Sequence, residues 1–141
     1  MSPLKKKRLI PINKLLKLCH AAWSICVRLT DKACVMCHST ENLHAHHCVV
    51  PKSKGAAVRF FLDNGITLCY RCHMMVVHKG LERKNWFDRL KEIIDSRVPA
   101  ERQAEIIRLS HEPKKWTREE LTSTLDTLKR IAQPSPNPPI V

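Results

Sequence analysis

No stretch of this 141-residue sequence approaches the roughly 20 consecutive apolar residues that cross a bilayer. That absence excludes a membrane-spanning helix. No signal-peptide pattern is visible either, which predicts an intracellular, cytoplasmic protein. In that compartment an odd set of seven cysteines serves as thiols and metal ligands in preference to disulfides. Aromatic residues are scarce, at 5%, which counts against a protein that binds single-stranded RNA by stacking its bases. No internal repeat is visible.

Acidic residues are missing entirely from the first 30 positions, while Lys5, Lys6, Lys7, Arg8, Lys14, Lys17 and Arg28 stand there. The formal net charge is +12, and the excess is concentrated at this end. Such a run suits a polyanionic partner, nucleic acid above all, although a basic tail that only aids solubility has the same composition.

Four segments follow from composition and periodicity. Residues 1–11 form a basic, flexible leader. Residues 12–80 hold a helix and a Cys/His-rich core, 81–133 a helical extension, and 134–141 a proline-rich, extended tail. The stretch 12–29 reads as a helix because Leu15, Cys19, Ala22, Cys26 and Leu29 recur at spacings of three and four. Cys19 and Cys26 on this stripe are packing residues, and His20 lies on the surface. Two strand-like pieces follow at 43–50 and 65–69, with a helix from about Cys72. Beyond 81, helices are predicted at 85–96, with Trp86, Leu90 and Ile93 on one face, at 99–110 and at 117–132. Pro99 suits a first helical turn, and Thr117 with Glu120 makes a capping box.

Long apolar stretches are also missing between 31 and 80, so the core there draws on another source of stability. Cys34-Val-Met-Cys37 and Cys69-Tyr-Arg-Cys72 supply it. Each CxxC pair can place two thiolates on one tetrahedral ion, and two pairs close the shell. A closed shell leaves no position for substrate, so the ion, Zn²⁺, is structural and its binding contributes much of the folding energy.

Between the pairs lie His44, His46 and His47, then Asp63-Asn64-Gly65, and His73 follows the last cysteine directly. The stretch "CVMCHSTENLHAHHCVVPKS…RFFLDNGITLCYRCH" resembles the HNH endonuclease family, and in particular the zinc-ribbon members common in bacteriophages. The resemblance covers roughly residues 20–80. It implies a small α+β fold: a ββα-metal core with a four-cysteine zinc site, flanked by an N-terminal helix and about three C-terminal helices.

It also implies a metal-dependent DNA endonuclease, working in the host cytoplasm if phage-encoded. Position by position, His47 matches the general base, Asn64 the asparagine that braces the loop, and His46 and His73 the ligands of a catalytic divalent metal such as Mg²⁺ or Mn²⁺. Adjacent strand residues point to opposite faces, so His46 can face the metal while His47 reaches water. A neutral imidazole suits that proton transfer. His78 lies five positions beyond His73, about 140° round an ideal helix, so it either ligates from an irregular helix or marks a helix end.

Several positions stay open. His38 stands where the family usually has glycine and is either exposed or a competing ligand, and Cys48 packs where isoleucine is typical. His44 either supports the ligands or lies on the surface. Arg59 either touches a phosphate or is solvated. Lys5, Lys6, Lys7, Arg8, Lys52, Lys54 and Arg59 are the candidate DNA contacts. The alternatives to an endonuclease are a non-catalytic zinc-dependent DNA-binding module, or an accessory to phage packaging or recombination proteins that cleaves only with its partner. A degenerate copy would be expected to lose His47, Asn64 or His73 first, and all three are present.

Overall fold

The computed structural model describes residues 7–75 and 80–133. Lys5, Lys6, His78 and the 134–141 tail lie outside the described residues. Helix α1 spans Ile12–Asp31 and buries Leu15, Cys19, Ala22, Trp23, Cys26 and Val27. It stops where Lys32 turns left-handed (φ 62°), its N–H bonding to the Arg28 carbonyl. Leu29, expected on the buried stripe, is exposed, and Val27, which faces the sheet, takes the last buried place.

Strand β1 (Leu43–His47) pairs antiparallel with β2 (Gly65–Cys69), Leu43 opposite Cys69 and His47 opposite Gly65. The expected strand over 43–50 ends three residues early for a specific reason. The amides of Val49 and Val50 are taken by the Asn64 side chain, and that of Cys48 by the Asn64 carbonyl, so none is left for a ladder. Between the strands the chain makes three single turns of 3₁₀ helix, at Lys52–Lys54, Ala56–Val58 and Leu62–Asn64. Helix α2 (Tyr70–Met74) opens two residues before the expected Cys72, with the Cys69 sulphur accepting the Cys72 N–H as its cap.

Three helices follow: α3 (Leu81–Arg97), α4 (Ala100–Ser110) and α5 (Arg118–Ala132). Helix α3 starts four residues before the expected 85, with Leu90 buried and Trp86 and Ile93 beside it. The capping box at Thr117 and Glu120 is formed in both directions.

Helix α5 packs on α1. The Cys19 and Cys26 thiols donate to the carbonyls of Leu121 and Leu128 at 3.3 and 3.2 Å. Thiols seven apart meet carbonyls seven apart in the same order, so the helices run parallel. Burial raises the pKa of both thiols, which keeps them protonated as donors. A second cluster, around Cys34, Met36, Ile66, Leu68, Cys69 and Leu90, lies on the other side of the sheet. Asp31 ties the parts together, accepting from the Thr67 amide at 2.8 Å and from Arg97 at 2.7 Å.

Gly65 sits where α1 presses on β2. A Cβ there would lie 2.5 Å from Val27 Cγ2 and 2.7 Å from Trp23 Cζ2, both on buried side chains. Gly65→Ala is therefore expected to destabilise the protein by about 1–3 kcal/mol, the usual cost of overpacking. Thermal denaturation measures it, and an unchanged melting temperature would mean that α1 can shift freely away from the sheet.

Candidate metal and catalytic centre

The first cysteine pair sits on a turn just after α1. The His38 amide bonds back to the Cys34 carbonyl at 2.9 Å, and His38 itself is left-handed (φ 63°). That backbone explains why glycine would be at home at position 38. The second pair comes from the end of β2 and the first turn of α2. Together Cys34, Cys37, Cys69 and Cys72 bring their four sulphurs within 4.8 Å of one another. Four sulphurs around one zinc at about 2.3 Å stand about 3.8 Å apart, so the cluster suits that ion. Burial raises the Cys34 thiol, but backbone N–H groups of Cys69, Cys37 and Met36 outweigh it and bring it to about 7. Burial and the neighbouring sulphurs push Cys72 upward. Four thiolates so close need a cation to coexist, and the donor set fits a structural zinc.

The histidines divide between the two faces of the strand. His46 faces His73 of α2, their rings edge to face with centroids 5.3 Å apart. His44, exposed, also stacks on His73, with centroids 5.8 Å apart. Burial, then the charges of His73 and His47, push the His46 imidazole down to about 4. It is therefore deprotonated, and free to ligate, throughout the neutral range. Among the described residues the four cysteines are the sole group of three or more ligand atoms within 4.8 Å of one another. His46 and His73 thus offer a two-residue pair.

On the opposite face, His47 lies flat on Trp23, with centroids 4.1 Å apart and planes 11° apart. Its Nε2 is 2.9 Å from the Arg59 carbonyl. A carbonyl only accepts, so Nε2 carries the proton and the lone pair is on Nδ1. Burial lowers the His47 pKa from the ordinary 6.5, opposed by the bond to Arg59 and aided by the charges of Lys52 and Arg59. Asn64 is wholly buried. Its Oδ1 accepts from the Val49 and Val50 amides at 2.9 Å each, and its Nδ2 donates to the Val50 carbonyl at 3.0 Å. The side chain thereby pins the chain leaving β1 to the chain entering β2.

Residues 34–79 match the family model described as HNH endonuclease. This segment is an HNH domain. No curated protein and no solved structure matches the chain. The HNH domain accounts for roughly a third of the sequence, and it suggests a nuclease or DNA-related function. No helix among the described residues is long and apolar enough to cross a membrane.

Around the HNH domain stand residues whose part the sequence did not disclose. His20, expected on the surface, is half-buried because β1 crosses α1 there. It stacks on Trp23 at 5.5 Å and on His47 at 5.8 Å. Arg102 of α4 grips Asp63, next to Asn64, through Nε at 2.6 Å, and lies over the Phe61 ring. No local spacing signals either contact. Of the candidate DNA contacts that are described, Lys7, Arg8, Lys52 and Lys54 are exposed, whereas Arg59 is half-buried and lends its carbonyl to His47.

Proposed function

We propose that this chain is a metal-dependent endonuclease that hydrolyses DNA phosphodiester bonds. The observation that carries the reading is the bonding of His47: with Nε2 tied to the Arg59 carbonyl, Nδ1 is left as the proton acceptor. His47 Nδ1 takes the proton from the attacking water. The carbonyl then faces the N–H of a developing imidazolium and stabilises it, as a general base requires. Asn64 holds the loop that carries Arg59 against the end of β1. His46 and His73 hold the divalent ion from the other face of the strand. Such an ion, Mg²⁺ or Mn²⁺ for instance, supplies positive charge to the phosphate and to the departing 3′ oxygen. The four cysteines hold a separate structural zinc. Lys5, Lys6, Lys7, Arg8, Lys52 and Lys54 supply sequence-independent phosphate contacts.

Supercoiled plasmid incubated with the purified protein tests this. Nicked or linear products are expected with a divalent metal and none with EDTA, and the ends should carry 5′-phosphate and 3′-hydroxyl. A protein that binds DNA yet is inert with Mg²⁺, Mn²⁺ and Ni²⁺ would replace this reading with a binding module or a partner-dependent nuclease.

A further inference from the structure

We propose that Trp23, on the helix before the HNH domain, is a positioning residue that sets the ring plane of His47; the kinetic consequence rests on the nuclease reading above. A histidine at a strand end rotates in a broad, roughly two-fold well about its terminal torsion, so strand geometry alone does not orient the ring. Two contacts remove that freedom. The indole face at 4.1 Å fixes the plane. The Arg59 carbonyl then selects which nitrogen faces inward.

The indole is itself held at a definite place. Trp23 is wholly buried, and its Nε1 donates to the Phe61 carbonyl at 3.0 Å. Phe61 is two residues from Arg59, so both rings hang from one short piece of backbone. Movement of that piece carries the indole and the imidazole together. Gly65 adds an independent observation. It stands opposite His47 in the register, and a Cβ there would meet the indole at 2.7 Å. The missing side chain is what lets Trp23 slide beneath the sheet edge to reach His47.

The ordinary reading of a buried tryptophan is core packing, so the test must separate the two roles. The full-length zinc protein is compared with Trp23→Phe and Trp23→Leu, folding being checked by zinc content and thermal melting. Trp23→Leu should lower kcat at least about tenfold with KM within about twofold, since Trp23 orients a reacting group without touching DNA. Trp23→Phe, which keeps a flat face, should stay within about threefold of wild type. Side-chain ¹⁵N NMR should show His47 as the Nε2–H tautomer in wild type and in Trp23→Phe, and averaged in Trp23→Leu. Wild type should also show the His47 ring protons shifted upfield, with direct cross-relaxation to the indole. Absence of that contact in wild type, a folded Trp23→Leu with unchanged kcat and tautomer, or equal losses in both variants would each overturn the proposal. If wild type does not cleave at all, the nuclease reading fails while the NMR measurements still decide the role of Trp23.

Discussion

His47→Ala protein is expected to fold, keep its zinc and bind DNA, yet cleave at least about 10²-fold more slowly than wild type. Folding should survive because the side chain is only half-buried and makes one hydrogen bond, to a carbonyl that water can satisfy. Cleavage should not, because no other described side chain pairs a bare ring nitrogen with a carbonyl in this way. His73→Ala should also lose cleavage, but through weaker metal binding, so raising Mn²⁺ should partly restore it while leaving His47→Ala inert. The pH profile follows from the same environment. Burial first, and then Lys52 and Arg59, hold the His47 pKa below 6.5, with His20 stacked beside it. The neutral base is therefore present at pH 7 and is lost as pH falls through that lowered value. The acid limb of kcat/KM should lie below pH 6.5. A fully active His47→Ala protein would refute the assignment.

What the sequence disclosed was what is local. Both CxxC pairs are spacing signals, each fitted by one turn of backbone, and they close on one another as expected. Strand β2 matches its expected bounds because it is apolar and ends at a cysteine. The stripe on α1 was legible at Leu15, Cys19, Ala22 and Cys26 because four residues at helical spacing face one partner. The early end of β1 was not, for it depends on a buried amide 14 and 15 residues away capturing two backbone N–H groups. Nor was the His20–Trp23–His47 stack, which exists only because β1 lies across α1 at a point where Gly65 leaves room. Arg102 on Asp63 is the same kind of contact, 39 residues apart. Spacing rules see one element at a time, whereas the surroundings of the candidate base come from α1, the loop and both strands at once.

Cys34→Ser and Cys72→Ser should each lose the zinc, and with it the fold of the HNH domain. Of the six buried members of the cluster on this face of the sheet, Cys34 and Cys69 belong to the four-cysteine group that could hold the ion. Removing one thiolate opens the shell and leaves the other three as crowded thiols with no cation between them. Structural zinc contributes on the order of 10–16 kcal/mol at pH 7 in zinc-finger peptides. That matches or exceeds the roughly 5–15 kcal/mol by which a whole domain is stable. The packing left by Met36, Ile66, Leu68 and Leu90 cannot replace it. The α1–α5 pair has a core of its own, from Leu15, Cys19, Trp23 and Cys26 to Leu121, Leu125 and Leu128, so loss should be regional. Amide resonances of Ile66 and Leu68 should collapse while those of Leu121 and Leu125 persist. Elemental analysis should give about one zinc per chain in wild type and in Cys19→Ser, and none in Cys34→Ser. A folded Cys34→Ser protein with its zinc intact would remove the four-cysteine site from the account.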